Sequence, residues 1–250
     1  MIKKFIKKII SLMLVVCLVL TANIVSFAQM KNKDMEFNNY AKFYLNLVEE
    51  YKVKNPNASL DDINDMLRKA MKKYDKNFAA NRIRIQSIDY SDYLPTDKVA
   101  LSDPEKEVFN SNPYYGLQAL LAAQTAIDMS ERRYSYGLHN GNGDAFRHSL
   151  WNCLMSSYTT VSYAKKFADA HEEGVPNEGL ESYMDIYNNK KGRDVYVDNK
   201  SRIDRAPTYA RTGLIIDLIQ EAVDGGNMRR FAGDNFKGTY LVKTDTLGKK

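Results

Sequence analysis

Three short segments concentrate the side chains able to do chemistry: Asp144-Ala145-Phe146-Arg147-His148, Ala170-His171-Glu172 and Met184-Asp185-Ile186-Tyr187-Asn188-Asn189. The three histidines of the chain, His139, His148 and His171, and its single tryptophan, Trp151, fall in the same region. On an α-helix each residue advances by about 100°, so positions i, i+3, i+4 and i+7 share a face. Asp144, Arg147, His148 and Trp151 would then place a carboxylate, a guanidinium, an imidazole and an indole side by side. In the next segment Ala164, Phe167, Ala168 and His171 share a face, which puts His171 on an apolar, inward side. Asp185, Asn188 and Asn189 lie within about one turn of a third helix, so three successive helices can aim polar groups at one centre.

The sharpest chemical reading is a divalent cation, most simply zinc, held by Asp144, His148, His171 and Asp185. Open coordination carrying a water is the catalytic form of such a site. Glu172 would serve as general base, and Arg147 or Asn188 would stabilise a developing oxyanion. Two other readings stay open. One is a structural network, because buried polar groups need partners whether or not they catalyse, and an Asp in the first turn of a helix is favoured by the helix dipole. The other is metal-free hydrolysis, with a histidine as base and Arg147 gripping an anionic substrate. His139 reads as a solvated loop residue. Cys153, five residues from His148 and on another side of the helix, reads as core.

The elements that must position these groups are helical. Glu36 to Lys54 is amphipathic, and Asn55-Pro56-Asn57 breaks it. Ser59 then caps a second helix, with Asp62 in the capping-box position. Asn81 to Leu94 suggests a short strand or an extended linker. Ser102-Asp103-Pro104-Glu105 is a helix start, and Asn112-Pro113 opens a longer helix to about Arg132. Gly141 and Gly143 break the chain before a helix from Asp144 to about Tyr158. Thr160 caps the next one, which stops at Gly174. Further helices are expected over about Leu180–Asn189 and Tyr209–Val223, with Arg193–Arg205 irregular between them. The tail through Tyr240-Leu241-Val242 adds a short strand or stays loose. The expected fold is a mainly α, multi-helix globular domain with an N-terminal helical extension and little or no β-structure.

The first 28 residues look like an export signal. Lys3, Lys4, Lys7 and Lys8 precede an apolar run from Ile9 to Leu20, and Ser26-Phe27-Ala28 offers a cleavage site. The organisation expected is a signal peptide over 1–28, a helical extension and linker over 29–97, and a helical domain carrying the site over 98–250. Export to the cell envelope or medium follows, with no membrane span in the mature chain. The whole chain has 36 Lys+Arg and 31 Asp+Glu; removing the four leader lysines leaves 32 against 31, a net of +1. The basic balance therefore belongs to the leader and gives no nucleic-acid signal. After cleavage Cys153 is alone, so no intrachain disulfide can form and stability must come from the core.

Asp144-Ala145-Phe146-Arg147-His148-Ser149-Leu150-Trp151-Asn152, then Ala170-His171-Glu172, then Met184-Asp185-Ile186-Tyr187-Asn188-Asn189-Lys190-Lys191-Gly192-Arg193 resemble a bacterial family of uncharacterised helical domains. The family pattern is roughly D-A-x-R-H-x-x-W-N, H-E and M-D-x-x-N-N-x-x-G-R, in secreted, surface and toxin-like proteins. The resemblance covers about residues 100–230 and implies a helical fold and an exported setting. It brings no activity with it. Tyr187 stands here where relatives often carry a histidine. The function expected from the residues is a metal-dependent hydrolase of a phosphoester, lipid or cell-envelope substrate; a non-enzymatic envelope interaction protein is the alternative.

Overall fold

The computed structural model describes residues 37–80, 101–174 and 179–250, with side chains in the first stretch from 41 to 73. The leader and the Asn81–Leu94 segment lie outside the described residues. Phe37–Lys250 forms one compact unit, and its element order is helical until the tail. In order come α1 (Phe37–Lys54), α2 (Leu60–Ala80), α3 (Asp103–Ser111), α4 (Pro113–Arg133) and α5 (Asn142–Tyr158). They are followed by α6 (Val161–Gly174), α7 (Leu180–Arg205), α8 (Thr208–Asp224), β1 (Arg229–Phe231) and β2 (Leu241–Lys243). The two strands pair antiparallel, Arg230 opposite Val242. The fold is mainly α, as expected.

Local signals account for most helix starts. Ser59 and Asp62 close a capping box, with Ser59 N–H donating to Asp62 Oδ2 at 2.9 Å and Asp62 N–H to Ser59 Oγ at 3.2 Å. Ser102 and Glu105 do the same at α3, and Asn112 caps α4 by accepting from Tyr115 N–H. Such caps satisfy N–H groups that have no partner inside the helix. α1 buries Ala41, Tyr44 and Val48, and α2 buries Ile63 and Leu67. Tyr114 N–H donates to Asn64 Oδ1 at 3.0 Å and so ties α2 to the start of α4.

α5 is the axis of the molecule. Fourteen of its seventeen residues are buried, the mark of a helix surrounded on all sides. α4, α6, α7 and α8 all pack on it. Trp151 Nε1 donates to the Ala119 carbonyl at 3.2 Å, joining α5 to α4. α5 and α7 approach each other closely at Gly192. A Cβ on Gly192 would sit 2.1 Å from the Ser149 carbonyl oxygen. A side chain there would hold the two backbones apart.

α7 departs from the sequence expectation. Arg193–Arg205, expected to be irregular, continues the helix without a break to Arg205. The stretch lacks the apolar periodicity of an amphipathic helix, but it buries Tyr196 and Ile203. Its outer face is laced by Lys190–Asp194 at 2.7 Å and by Lys200–Asp204. Such i, i+4 pairs each support a helix by a few tenths of a kcal/mol. The C-terminal tail also does more than add a strand. Asn142 Nδ2, in the first turn of α5, donates to Asp245 Oδ1 at 2.7 Å and to the Leu247 carbonyl at 2.8 Å. Ser135 N–H donates to the Gly248 carbonyl at 2.8 Å. The tail thus straps the loop that leads into α5.

Gly192→Ala is expected to lose about 1–3 kcal/mol of stability, the usual cost of overpacking. Gly213→Ala in α8, where a Cβ meets nothing within 4 Å, should gain about 0.4–1 kcal/mol. Chemical denaturation of both variants checks the pair. Equal effects would mean that α5 and α7 are not in close contact at Gly192.

Candidate metal centre

Asp144 sits in the first turn of α5 and reaches back over the preceding loop, accepting from Asn140 N–H at Oδ2 at 2.6 Å. One turn further along α5, His148 turns its Nε2 toward Asp144 Oδ1 at 3.4 Å. From α7, Asp185 brings Oδ1 to 3.5 Å from the same nitrogen. Exposure is 2% for Asp144, 2% for His148 and 5% for Asp185, so the group is nearly sealed from solvent. The three ligand atoms lie within 4.8 Å of one another, and this is the cation-sized group found among the described residues. In a tetrahedral zinc site with bonds of about 2.0–2.1 Å, ligand atoms stand about 3.3 Å apart. Both distances from His148 Nε2 are close to that figure. The group could hold a metal ion.

The far side of the imidazole is fixed by a chain of amides. His148 Nδ1 lies 3.2 Å from Asn189 Oδ1. Asn189 Nδ2 donates to Glu172 Oε1 at 2.8 Å, so the carbonyl end of the amide faces the ring. A carbonyl only accepts, hence Nδ1 carries the proton and, in the neutral ring, Nε2 presents its lone pair to the two carboxylates. Metal-bound histidines are oriented by this kind of partner. Asn152 Nδ2 also donates to Asn189 Oδ1, at 2.7 Å, and Arg193 donates to Asn152 Oδ1 at 2.6 Å.

Electrostatics separates the two carboxylates. Burial pushes Asp144 up, but the Arg147 guanidinium at 2.7 Å, then His148 and the Asn140 N–H, pull it from 3.8 down to about 2. Burial also drives Asp185 well above 3.8, and the charges of Asp144 and Glu172 oppose His148 in keeping it there. His148 is raised from 6.5 to about 9, since Asp185 and Asp144 outweigh the burial that would lower it. Without a metal, Asp144 is therefore ionised at neutral pH, and its charge and that of Asp185 favour the protonated His148 ring. Asp185 Oδ1 is buried and makes no hydrogen bond; it stands 3.5 Å from His148 Nε2.

Residues 106–227 match the family model described as Domain of unknown function (DUF6973). That segment contains Asp144, His148 and Asp185, together with Glu172, Asn189, Asn152 and Arg193. α1, α2 and the C-terminal hairpin lie outside it. No curated protein and no solved structure matches the chain.

The other expected site residues are placed as follows. His171 is not in the cation-sized group. Its Nδ1 pairs with Glu105 Oε1 at 2.7 Å, and its ring meets Trp151 edge-on with centroids 5.4 Å apart. It does lie on the inward face of α6, but that face meets α3 and Trp151. Arg147 is at the centre, bonded to Asp144 and, at 3.2 Å, to the Leu138 carbonyl. Glu172 acts on His148 through Asn189. Asn188 has both amide atoms on the Arg229 backbone, donating to its carbonyl at 2.9 Å and accepting from its N–H at 2.8 Å. His139 is an exposed loop residue, 3.7 Å from Glu181. Cys153 is fully buried, and burial pushes its thiol pKa up.

Sequence reasoning placed Asn189 beside Asp185 and Asn188 without giving it a role, and it left Asn152, Arg193 and Glu105 out of the site. Asn189, Asn152 and Arg193 stand in the N-N, W-N and G-R positions of the quoted motifs, so the signal was present. Glu105 was legible as a helix cap, and it caps with one oxygen while holding His171 with the other.

The metal-free protein should be most stable in mildly acidic solution. Asp144, with its pKa lowered to about 2, contributes stability that is present above pH 3.8 and lost as pH falls through about 2. His148, raised to about 9, contributes stability that is present below pH 6.5 and lost as pH rises through about 9. Asp185 is also raised, so its contribution is present below pH 3.8 and is lost progressively as pH rises above it, beneath the steeper loss from His148. Thermal melts of chelator-treated protein should fall between pH 6.5 and 9.5, by on the order of a few kcal/mol. His148→Gln should flatten that limb, and an unchanged slope in the variant would rule His148 out as its source.

Proposed function

We propose that this chain is an exported protein whose Asp144–His148–Asp185 group binds one divalent cation, zinc most simply. The observation that carries the reading is Asp185 Oδ1. It is a buried carboxylate oxygen that makes no hydrogen bond: His148 Nε2 stands at 3.5 Å, and Arg147, the neighbouring cation, is spent on Asp144. Burying a carboxylate without a partner is costly, and a metal ion is the partner that such a geometry suits. The lone pair of His148 Nε2, set by Asn189, supports the same reading. The export signal over residues 1–28 supports the extracytoplasmic setting.

Three protein ligands leave coordination open for a water, the arrangement in which a metal generates a nucleophile near neutral pH. On that basis the activity proposed is metal-dependent hydrolysis of a phosphoester, lipid or cell-envelope substrate. Arg147 is the positive group beside the centre, and Glu172 orients His148 through Asn189. One observation favours a second reading, a non-enzymatic envelope protein in which the centre fixes helix packing. The three ligands are only 2%, 2% and 5% exposed, which suits a structural site better than an open catalytic one.

Elemental analysis after zinc loading tests the binding. One zinc per chain is expected, lost in Asp185→Asn and retained in His171→Gln. A wild-type protein that binds no metal ends the proposal. The zinc-loaded chain is then assayed on p-nitrophenyl phosphate, phospholipid vesicles and peptidoglycan. Hydrolysis that disappears in Asp185→Asn supports the enzyme; bound zinc with no turnover on any of the three supports the structural reading.

A further inference from the structure

A second polar region lies toward the opposite end of α5. His148 and Ser157 are nine residues apart, about 14 Å along a helix, and beside Ser157 a cavity of about 630 Å³ opens between α1, α4, α5 and α8. That volume is in the usual range for small-molecule pockets, about 300–1,000 Å³, but the wall is unlike a usual apolar pocket. Hydroxyls come from Tyr114, Thr125, Tyr158 and Thr212, and amides from Gln118 and Gln124. Leu121 is the one aliphatic side chain among the described lining residues. Lys42 and Arg211 supply two positive charges against one carboxylate, Asp128.

The wall is also under-satisfied. Gln124 Oε1, Ser157 Oγ and Arg211 Nε are buried without a protein partner, and all three residues line this cavity. Gln124 spends its amide N–H on Asp128 at 2.7 Å, which leaves its carbonyl over. Arg211 spends one nitrogen on the Asp204 and Ala206 carbonyls, at 3.1 and 3.3 Å, which anchors it at the cavity edge. Buried polar atoms normally have partners, so three orphans in one wall point to groups that a ligand would satisfy after small side-chain rotations. The N-terminus of α8 adds to this. Pro207 stands at its N-cap with no side-chain hydrogen bond; its carbonyl accepts from Ala210 and Arg211 N–H, so the Thr208 and Tyr209 N–H groups and the positive end of the helix dipole are left without a side-chain cap.

The chemistry of the wall selects a ligand class. A wholly apolar ligand would leave the amides, hydroxyls and charges of the wall without partners. An extended peptide is recognised largely through main-chain pairing, and here the lining residues belong to helices whose backbones are already bonded. A nucleoside polyphosphate carries more negative charge than Lys42 and Arg211 offset in the presence of Asp128. Hydroxyl and amide side chains both donate and accept, and they match a ligand dense in hydroxyls with one negative charge. We propose that this groove binds a saccharide carrying a carboxylate, with the acid at Arg211, Lys42 and the α8 N-terminus, and the hydroxyls along α4. The proposal is independent of metal binding.

Isothermal titration of the full chain with digalacturonate, the neutral digalactose and inorganic phosphate tests it. Digalacturonate is expected to bind saturably, and digalactose at least about tenfold more weakly. Arg211→Gln and the exposed-site variant Lys42→Gln should each weaken digalacturonate by about tenfold, while Asp185→Asn leaves it unchanged. The proposal is overturned by no saturable digalacturonate binding or by equal affinity for phosphate, which would mark a plain anion site. Unchanged affinity in both cation variants would also overturn it. So would loss of binding in Asp185→Asn, which would put the sugar at the metal centre.

Discussion

The polar centre depends on the contact between the Asn189 carbonyl and His148 Nδ1. Glu172 fixes which end of the Asn189 amide faces the ring, and the amide in turn fixes which ring nitrogen is protonated. Only then does Nε2 look at Asp144 and Asp185 as an acceptor or a ligand. Three helices contribute to this one relay: α5 gives His148, α6 gives Glu172 and α7 gives Asn189. The close approach of α5 and α7 at Gly192 brings the amide within reach, since any side chain there would collide with the Ser149 carbonyl.

The two carboxylates, equivalent in sequence terms, have been made unequal. Asp144 has Arg147 and a backbone N–H and stays ionised; Asp185 has neither and is driven upward by burial. A divalent cation held by Asp144, His148 and Asp185 would remove that imbalance by balancing the charge of both carboxylates. Sealing the group under the loop before α5 raises the stakes, because electrostatic interactions strengthen as water is excluded. The tail that straps this loop through Asn142 and Asp245 therefore bears on the centre although it contributes no ligand. Asn188 has the same kind of role, stitching α7 to β1 at Arg229.

Much of this was legible in the residues. The i, i+4 spacing of Asp144 and His148 was enough to place them together, and capping signals located the helix starts at Ser59, Ser102 and Asn112. The limits were physical. Helical spacing puts His171 on an inward face but does not say which neighbour that face meets, and the answer was Glu105 with Trp151. Arg193–Arg205 lacks the apolar period on which helix recognition rests, yet it is helical through Lys–Asp pairs and the burial of Tyr196 and Ile203. The strap between Asn142 and Asp245 joins residues about a hundred positions apart, and no local pattern announces such a contact.

Histidine-selective ¹⁵N NMR during zinc titration tests the central claim most directly. The Nε2 resonance of His148 is expected to shift on zinc addition while its Nδ1 remains protonated, with His171 unmoved. A shift at Nδ1, a shift at His171 in place of His148, or no response from either ring would contradict it.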